Sequence, residues 1–308
     1  MKGCAMQRFD TVGLGQCSLD HICLVDEYPH VDVKCEVEGF STQGGGPVAT
    51  ALVTVQRLGC RTAFIGKIGA DAAGAEIADG LRAERVDISC LAVMDGRTSQ
   101  SAFIVVEKSK ATRTIFWTKG TAFPIDPEDV DPSLIESARF LHLDALNMEA
   151  SLKAAEHARK LSIPVMVDTG TFREETLPLL PLLDYIVVGH GFARGCSGTD
   201  DLEQSLRALA RHGAAMACIT LGDRGSIALE DGRVYRQKAF AVDAVDTTGC
   251  GDAFHGGLIY GILKGWPVER RLEYASAVAA LKCRAIGGRE GLPTADEVEA
   301  FLRERGSQ

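Results

Sequence analysis

The stretch Asp246-Thr247-Thr248-Gly249-Cys250-Gly251-Asp252-Ala253-Phe254-His255-Gly256-Gly257 joins a strand-like run at 239–245 to an apolar helical segment. Glycines at 249 and 251 free the backbone to turn its N–H groups inward where the helix begins. A helix N-terminus carries roughly +0.5 of an elementary charge together with unsatisfied donors. Such a nest attracts anions and suits a phosphoryl group. Asp252 lies beside it, either as a carboxylate that accepts a proton from a substrate hydroxyl or, more plainly, as a cap of the helix. Gly256 and Gly257 each cost a helix roughly 1 kcal/mol, which points to tight packing or to a ligand on that helix face.

Two more glycine clusters lie upstream. Thr220-Leu221-Gly222-Asp223-Arg224-Gly225 follows an apolar strand, on the edge where parallel sheets bind ligands. Gly44-Gly45-Gly46-Pro47-Val48-Ala49-Thr50-Ala51 leads into a helix over 48–58, with Pro47 suited to the first turn and Gly59 as the stop. From about residue 140 strands and helices alternate: FLHL, a helix over 149–160, PVMVD, a helical segment near 174–180, YIVVG, a helix over 200–211, and AMACITLG. That rhythm predicts a parallel sheet covered on both faces. The end is helical over 253–264, 268–283 and 294–303. The first half instead reads as strands, at 9–15, 22–25, 35–40, 62–68, 101–106 and 112–117, with a polar break at 107–111 and a helix over 73–85. The early strands do not fit the alternation. They predict a small accessory sheet, inserted in pieces from about 20–43 and 98–120, within a single α/β domain spanning 1–308.

Composition excludes several classes. The chain has 308 residues, 46% hydrophobic and 24% charged, which is ordinary globular usage. No apolar run reaches the ~18 residues of a membrane span, and the opening MKGCAMQRFD lacks the apolar core of a signal peptide. Net charge is 33 − 42 = −9 with no basic run, so nucleic acid is not the expected partner. The ten cysteines form no C-x-x-C, and Cys23, Cys60, Cys218 and Cys283 sit in apolar runs. They read as reduced, mostly buried residues of a cytoplasmic protein. A Walker A loop is absent, and Gly13-Leu14-Gly15-Gln16-Cys17-Ser18 lacks the last glycine of a dinucleotide fingerprint.

Together these motifs resemble the ribokinase-like (PfkB) carbohydrate kinases. DTTGCGD with its glycine-bearing helix is similar to their second signature. GGGPVATA, ending in Arg57-Leu58-Gly59, is similar to the first. TLGDRG resembles their nucleotide loop, and residues 13–20 their opening strand with its substrate aspartate. The likeness runs from about residue 9 to 300. It implies a three-layer α/β/α core with a mostly parallel sheet and a small β-sheet lid. It also implies transfer of the ATP γ-phosphoryl to a sugar hydroxyl, with Mg²⁺ and in some members K⁺. By that likeness Asp252 is the catalytic base, and Gly249, Cys250 and Gly251 supply the anion hole. Asp20, Gly45 and Gly46 bind the sugar. Thr220, Gly222, Gly225, Ala279, Cys283 and Gly288 lie along ATP, and Asp246 and Thr248 match monovalent-cation positions. Positioning and charge stabilisation carry most of such catalysis.

The chain departs from the family pattern in several places. Thr50 stands where the family usually has a sugar-binding asparagine. The N-x-x-E motif near metal and phosphates is Gly189-His190-Gly191-Phe192. Cys250 replaces the usual alanine, and is either a thiol made reactive by the helix N-terminus or a packing residue. TSQSAF, VDTTGCGDAFHGG and AVAALKCRAIGGREGLP look most like sulfofructose kinases and, more loosely, ketohexokinases. Lys34 matches a basic residue of that subgroup, whereas Trp117 and Leu146 replace its asparagine and arginine, which favours a neutral or differently substituted ketose over sulfofructose. His21 and His255 share no metal-ligand spacing and read as structural. Two alternatives stand beside a sugar kinase. One is a nucleoside kinase with Phe116, Trp117 and Phe123 stacking a base. The other is a silent sugar-binding regulator. Exposed lid edges suggest a homodimer.

Overall fold

The computed structural model describes residues 8–110 and 112–306. The leader-free reading of the first residues, and Ala111 in the polar break, lie outside them. In chain order the elements begin with β1 (Thr11–Leu14), β2 (Ser18–Val25), β3 (Gly39–Gly45), α1 (Pro47–Arg57), β4 (Thr62–Gly69), α2 (Ala72–Ala83) and β5 (Asp87–Met94). Next come β6 (Ser101–Glu107), β7 (Thr112–Thr118), α3 (Pro132–Glu136), β8 (Leu141–Leu143), α4 (Met148–Lys160), β9 (Val165–Thr169) and β10 (Tyr185–Gly189). The rest are α5 (His190–Ser197), α6 (Leu202–Ala210), β11 (Met216–Thr220), β12 (Ser226–Glu230), β13 (Arg233–Gln237), α7 (Cys250–Leu263), α8 (Val268–Lys282) and α9 (Ala295–Gly306).

Nine strands form the large sheet in the order β13-β12-β11-β10-β9-β8-β1-β4-β5. All neighbours are parallel except the β11-β12 and β12-β13 pairs. The runs YIVVG and MACIT are apolar at every second position on both sides, as a sheet covered on both faces requires. Val187, Met216 and Cys218 join a core with α1, α7 and α8. Ile186, Val188, Ala217 and Ile219 face α4, α5 and α6. The result is the expected three-layer core.

The small sheet has the order β3-β2-β6-β7. Ile22, Ala102, Ile104 and Val106 form its own small core, with Ile286 from the far end of the chain packed against them. Asp20, Ala102 and Trp117 share one row of this sheet. Period-2 alternation puts Ile22, Ile104 and Arg113 on their face, and His21, Phe103 and Phe116 on the other.

Several elements differ from the sequence reading. The strand expected at 35–40 begins only at Gly39 and runs through the glycines to Gly45, because Ser18–Leu24 of β2 pair with that stretch. The run at 239–245 is not a strand. Its end is held to α8 instead, with the N–H groups of Val245 and Asp246 donating to the Cys283 carbonyl. The segment at 174–180 forms short 3₁₀ turns because Pro178 and Pro181 interrupt a helix. Sequence reasoning missed β5, α5 and the β12–β13 hairpin. Asp231-Gly232, both at positive φ, is the turn signal that identifies the hairpin. Of the cysteines expected to be buried, Cys60 and Cys218 are, while Cys23 and Cys283 are only half-buried; the nine described cysteines are all free.

Gly46 caps α1 at φ 94°, and a Cβ there would lie 2.4 Å from the Gln16 carbonyl. Gly46→Ala is therefore expected to cost roughly 1–3 kcal/mol, read from denaturant unfolding. An unchanged midpoint would contradict this account of how α1 is started.

Candidate functional site

The glycine nest is the first turn of α7. Gly249 is the N-cap in the left-handed region (φ 74°), and Cys250, Gly251 and Asp252 are the first three helical residues. The Ala253 N–H donates to Gly249 O. The N–H groups before it are the orphan donors of a helix start, although that of Cys250 makes a long contact (3.3 Å) to Thr247 O. A Cβ on Gly249 would meet Gly288 Cα at 2.8 Å, so the nest backs against the 287–288 turn. A Cβ on Gly251 would meet nothing within 4 Å, which marks the open side. Gly256 lies against Thr54 and the Ala51 carbonyl, and Gly257 against Ala275. Their role is therefore close packing of α7 on α1 and α8, not a ligand face.

Carboxylates converge around this turn from separate strands. Burial and, after it, the neighbouring Asp168 charge push the Asp252 carboxyl up to about 8. Burial also lifts Asp168, at the end of β9, to about 7. Asp144, after β8, is likewise raised by burial to about 7 while accepting the N–H groups of Gln16 (2.6 Å) and Leu146 (3.0 Å). Burial raises Asp20 too, and its Oδ1 accepts Ser18 Oγ at 2.7 Å. From the lid, Arg113 Nη1 donates to Thr247 Oγ1 at 2.8 Å, tying the small sheet to the loop that enters the nest.

Asp20, Gly45, Gly46 and Thr50 come together. A Cβ on Gly45 would lie 2.1 Å from Asp20 Oδ2, so only glycine lets β3 pass this carboxylate. Thr50 is buried in α1 beside Arg289, whose Nη2 donates to Gly45 O (2.8 Å). Arg289 is 5% exposed, its N–H donates to Gln43 Oε1 (2.8 Å), and its Nη1 has no hydrogen-bond partner among the described residues. Sequence reasoning missed it, as it missed Gln43, because both act through contacts between distant ends of the chain. Lys34 is not brought in: it lies on the exposed irregular segment between β2 and β3.

Thr220, Gly222 and Gly225 form the tight turn after β11, at the carboxyl edge of the sheet. Ala279 and Cys283 lie at the end of α8, where the Cys283 N–H donates to Ala279 O. Cys283 and Gly288 both reach the nest. The Cys250 thiol is hydrogen-bonded to Cys283, and this bond together with burial pushes its pKa up, while Cys283 is lowered by the same bond. Cys250 Sγ also donates to the Asp246 carbonyl at 3.9 Å, and of the two readings of this thiol these contacts support packing. Asp246 and Thr248 are adjacent, with Thr248 N and Oγ1 both donating to Asp246 Oδ1 at 2.8 Å. In place of the N-x-x-E residues, Gly189 caps α5 and Phe192 is wholly buried against Phe172.

His255, one turn after Asp252, has Nε2 3.5 Å from Asp168 Oδ1, and its ring lies 5.6 Å from that of His142. Burial drives both imidazoles down, His255 to about 3, so both are neutral. The three residues offer ligand atoms within 4.8 Å of one another. Spacing could not reveal this, since His142 and Asp168 come from other strands. Mg²⁺ takes oxygen donors, usually one or two carboxylates plus phosphates. The partly open Asp168 and Asp252 fit that requirement, whereas the imidazoles do not.

The family model described as pfkB family carbohydrate kinase matches residues 9–295. A 5-dehydro-2-deoxygluconokinase of Shouchella clausii is 25% identical, over 97% of each chain. A putative ribokinase from Agrobacterium tumefaciens superposes with a TM-score of 0.92 at 26% identity, covering 97% of this chain and 99% of that one. An Arabidopsis thaliana ribokinase complexed with ribose and ATP gives 0.81 at 22% identity, covering 96% and 99%. No described helix is long and apolar enough to cross a membrane.

Asp144, Asp168 and Asp252 are protonated in the folded protein up to about pH 7–8 but ionise near 4 when unfolded. The folded state then holds more protons, so stability falls as pH rises from about 4 to about 8. Asp252→Asn removes one of these groups and is expected to raise the melting temperature at pH 8 relative to the parent protein. A pH series of melting curves at fixed ionic strength checks this; a variant melting lower at pH 8 contradicts it.

Proposed function

The chain belongs to the pfkB family of carbohydrate kinases and is a sugar kinase; from that premise we propose that it transfers the ATP γ-phosphoryl to a hydroxyl of a small ketose- or ribose-like sugar, with Asp252 as base. The observation that carries this reading is the placement of Asp252 within the first turn of α7, beside free N–H donors and near Asp20. Asp20, Gly45 and Gly46 hold the acceptor. Thr50 and Arg289 close its far side. A carboxyl whose pKa is close to the working pH suits proton transfer. As the hydroxyl attacks, Asp252 takes its proton. The N–H groups of Gly251 and Asp252 and the positive end of α7 offset charge on the transferring group. ATP would lie along Thr220, Gly222, Gly225, Ala279, Cys283 and Gly288, and Asp168, with the phosphates, would hold Mg²⁺, which would supply charge neutralisation. The exposed position of Lys34, with Trp117 and Leu146 in place of polar partners, supports a neutral acceptor over sulfofructose. The free cysteines fit a reducing, cytoplasmic setting.

A nucleoside is the second acceptor reading, favoured by one observation: half-exposed Trp117 shares a row and a face with Asp20. We also infer that two copies pair through the lid. β7 is exposed along its length, and Phe40, Phe103 and Phe116 stand 67%, 62% and 56% exposed, with His21 stacked on Phe103.

Asp252→Asn is expected to lower kcat by about 10²–10⁴ with sugar affinity by calorimetry little changed; near-normal turnover rejects the assigned role. ADP release across ribose, fructose, other ketoses, keto-deoxy sugar acids, sulfofructose and nucleosides names the acceptor. Binding without turnover on any acceptor would favour a silent regulator. Light scattering should give a dimer mass, and a monomer at working concentration removes the lid pairing.

A further inference from the structure

Lys282, the last residue of α8, has no exposed surface. Its Nζ donates to the Asp246 carbonyl at 2.9 Å, and no carboxylate makes a salt bridge with it among the described residues. Burying an ammonium on a carbonyl alone is costly, so its position needs a reason. That position is the start of the loop leading to the anion nest. Asp246 is itself fully buried and its carboxylate is spent. Oδ1 takes the N–H and hydroxyl of Thr248, and Oδ2 takes the Gly287 N–H at 2.7 Å. Asp246 and Thr248 are the residues matched above to a monovalent-cation site. They do not fit a free cation. The Thr248 hydroxyl and the carboxylate are turned to each other, and a positive charge already rests on the Asp246 carbonyl.

We propose that the Lys282 ammonium is a tethered monovalent cation, occupying the place of K⁺ beneath the 246–249 loop and making the protein independent of K⁺. An ammonium has nearly the size and the charge of K⁺, and it donates to the Asp246 carbonyl, an oxygen that would otherwise be free to ligate the ion. Carried on a rigid helix end, it is a compact point charge that cannot dissociate. Its field reaches the nest, where it opposes the negative charges around Asp252. Lys282 acts through the loop and touches no reacting atom, so it is a positioning residue.

The turnover arm of the test rests on the kinase reading; the melting arm does not. At constant ionic strength, replacing K⁺ by tetramethylammonium should leave the native protein's turnover within about two-fold and its melting temperature unchanged. Lys282→Ala empties the site. It should lose about ten-fold or more in kcat without K⁺, recover several-fold with K⁺ or NH₄⁺, and gain melting temperature from K⁺ alone of the two salts. Lys282→Met keeps the stem volume without the charge, and should lose turnover with no recovery in K⁺. A structural lysine would give no cation rescue in either variant. K⁺ activation or K⁺ stabilisation of the native protein, a fully active Lys282→Met, or a folded Lys282→Ala indifferent to K⁺ would each overturn the proposal. If no acceptor is turned over, the kinase reading fails while the melting curves still decide this one.

Discussion

Everything at the site depends on how the first turn of α7 is held. Its donors are useful only if the chain arrives without a side chain in the way and leaves them unpaired. Gly249, at positive φ against Gly288, satisfies the first condition. The second holds because no Cβ crowds the turn at Gly251. Further along the helix, Gly256 and Gly257 let α7 approach α1 and α8 closely. That packing fixes the helix axis. The four glycines therefore serve one geometry: a helix end fixed in place with its positive pole open.

The same placement sets the electrostatics. Parallel strands deliver their following loops to one edge, so Asp144 after β8 arrives near Asp168 on β9, and Asp168 near Asp252. Burying like charges together is unfavourable, and the carboxyls respond by holding their protons. A stable protein would not assemble such a group for its own sake. The neutral imidazoles of His142 and His255 beneath it add no charge of their own. The positive counterweights come from elsewhere: the helix end, Arg113 from the lid, and Lys282.

Much of this was legible in the sequence where chemistry and spacing coincide. The α7 nest, the start of α1 at Pro47 and the turn after β11 each combine glycines with an apolar run, and they fold where the pattern places them. The lid was legible as a break in rhythm. What escaped follows from contacts that no local pattern encodes. Gly44 and Gly45 read as a loop, yet they lie in β3 because β2 pairs with them and because Asp20 needs the room. Residues 239–245 are apolar enough for a strand, but the Cys283 carbonyl at the end of α8 takes the N–H groups of Val245 and Asp246, where that run ends. Cys250 sits at a helix start, yet contact with Cys283 and burial raise its pKa, and neither is visible in the local sequence.

Arg289 shows what such long-range contacts achieve. The turn carrying it lies between two half-sites. Gly288 backs the α7 nest, and the Gly287 N–H holds Asp246. One residue on, Arg289 fastens the same turn to β3, its N–H donating to Gln43 Oε1 and its Nη2 to the Gly45 carbonyl. A shift of this turn by a fraction of an ångström is therefore felt at the nest and at the Asp20 pocket together. Thr50 is compatible with this arrangement because it is short, leaving space for a guanidinium beside α1 that a longer asparagine side chain would contest. Thr50 thereby faces Arg289, whose Nε lies 3.5 Å from its hydroxyl. The Arg289 Nη1, which has no hydrogen-bond partner among the described residues, packs against Gly44 and leaves no room for a side chain at that position.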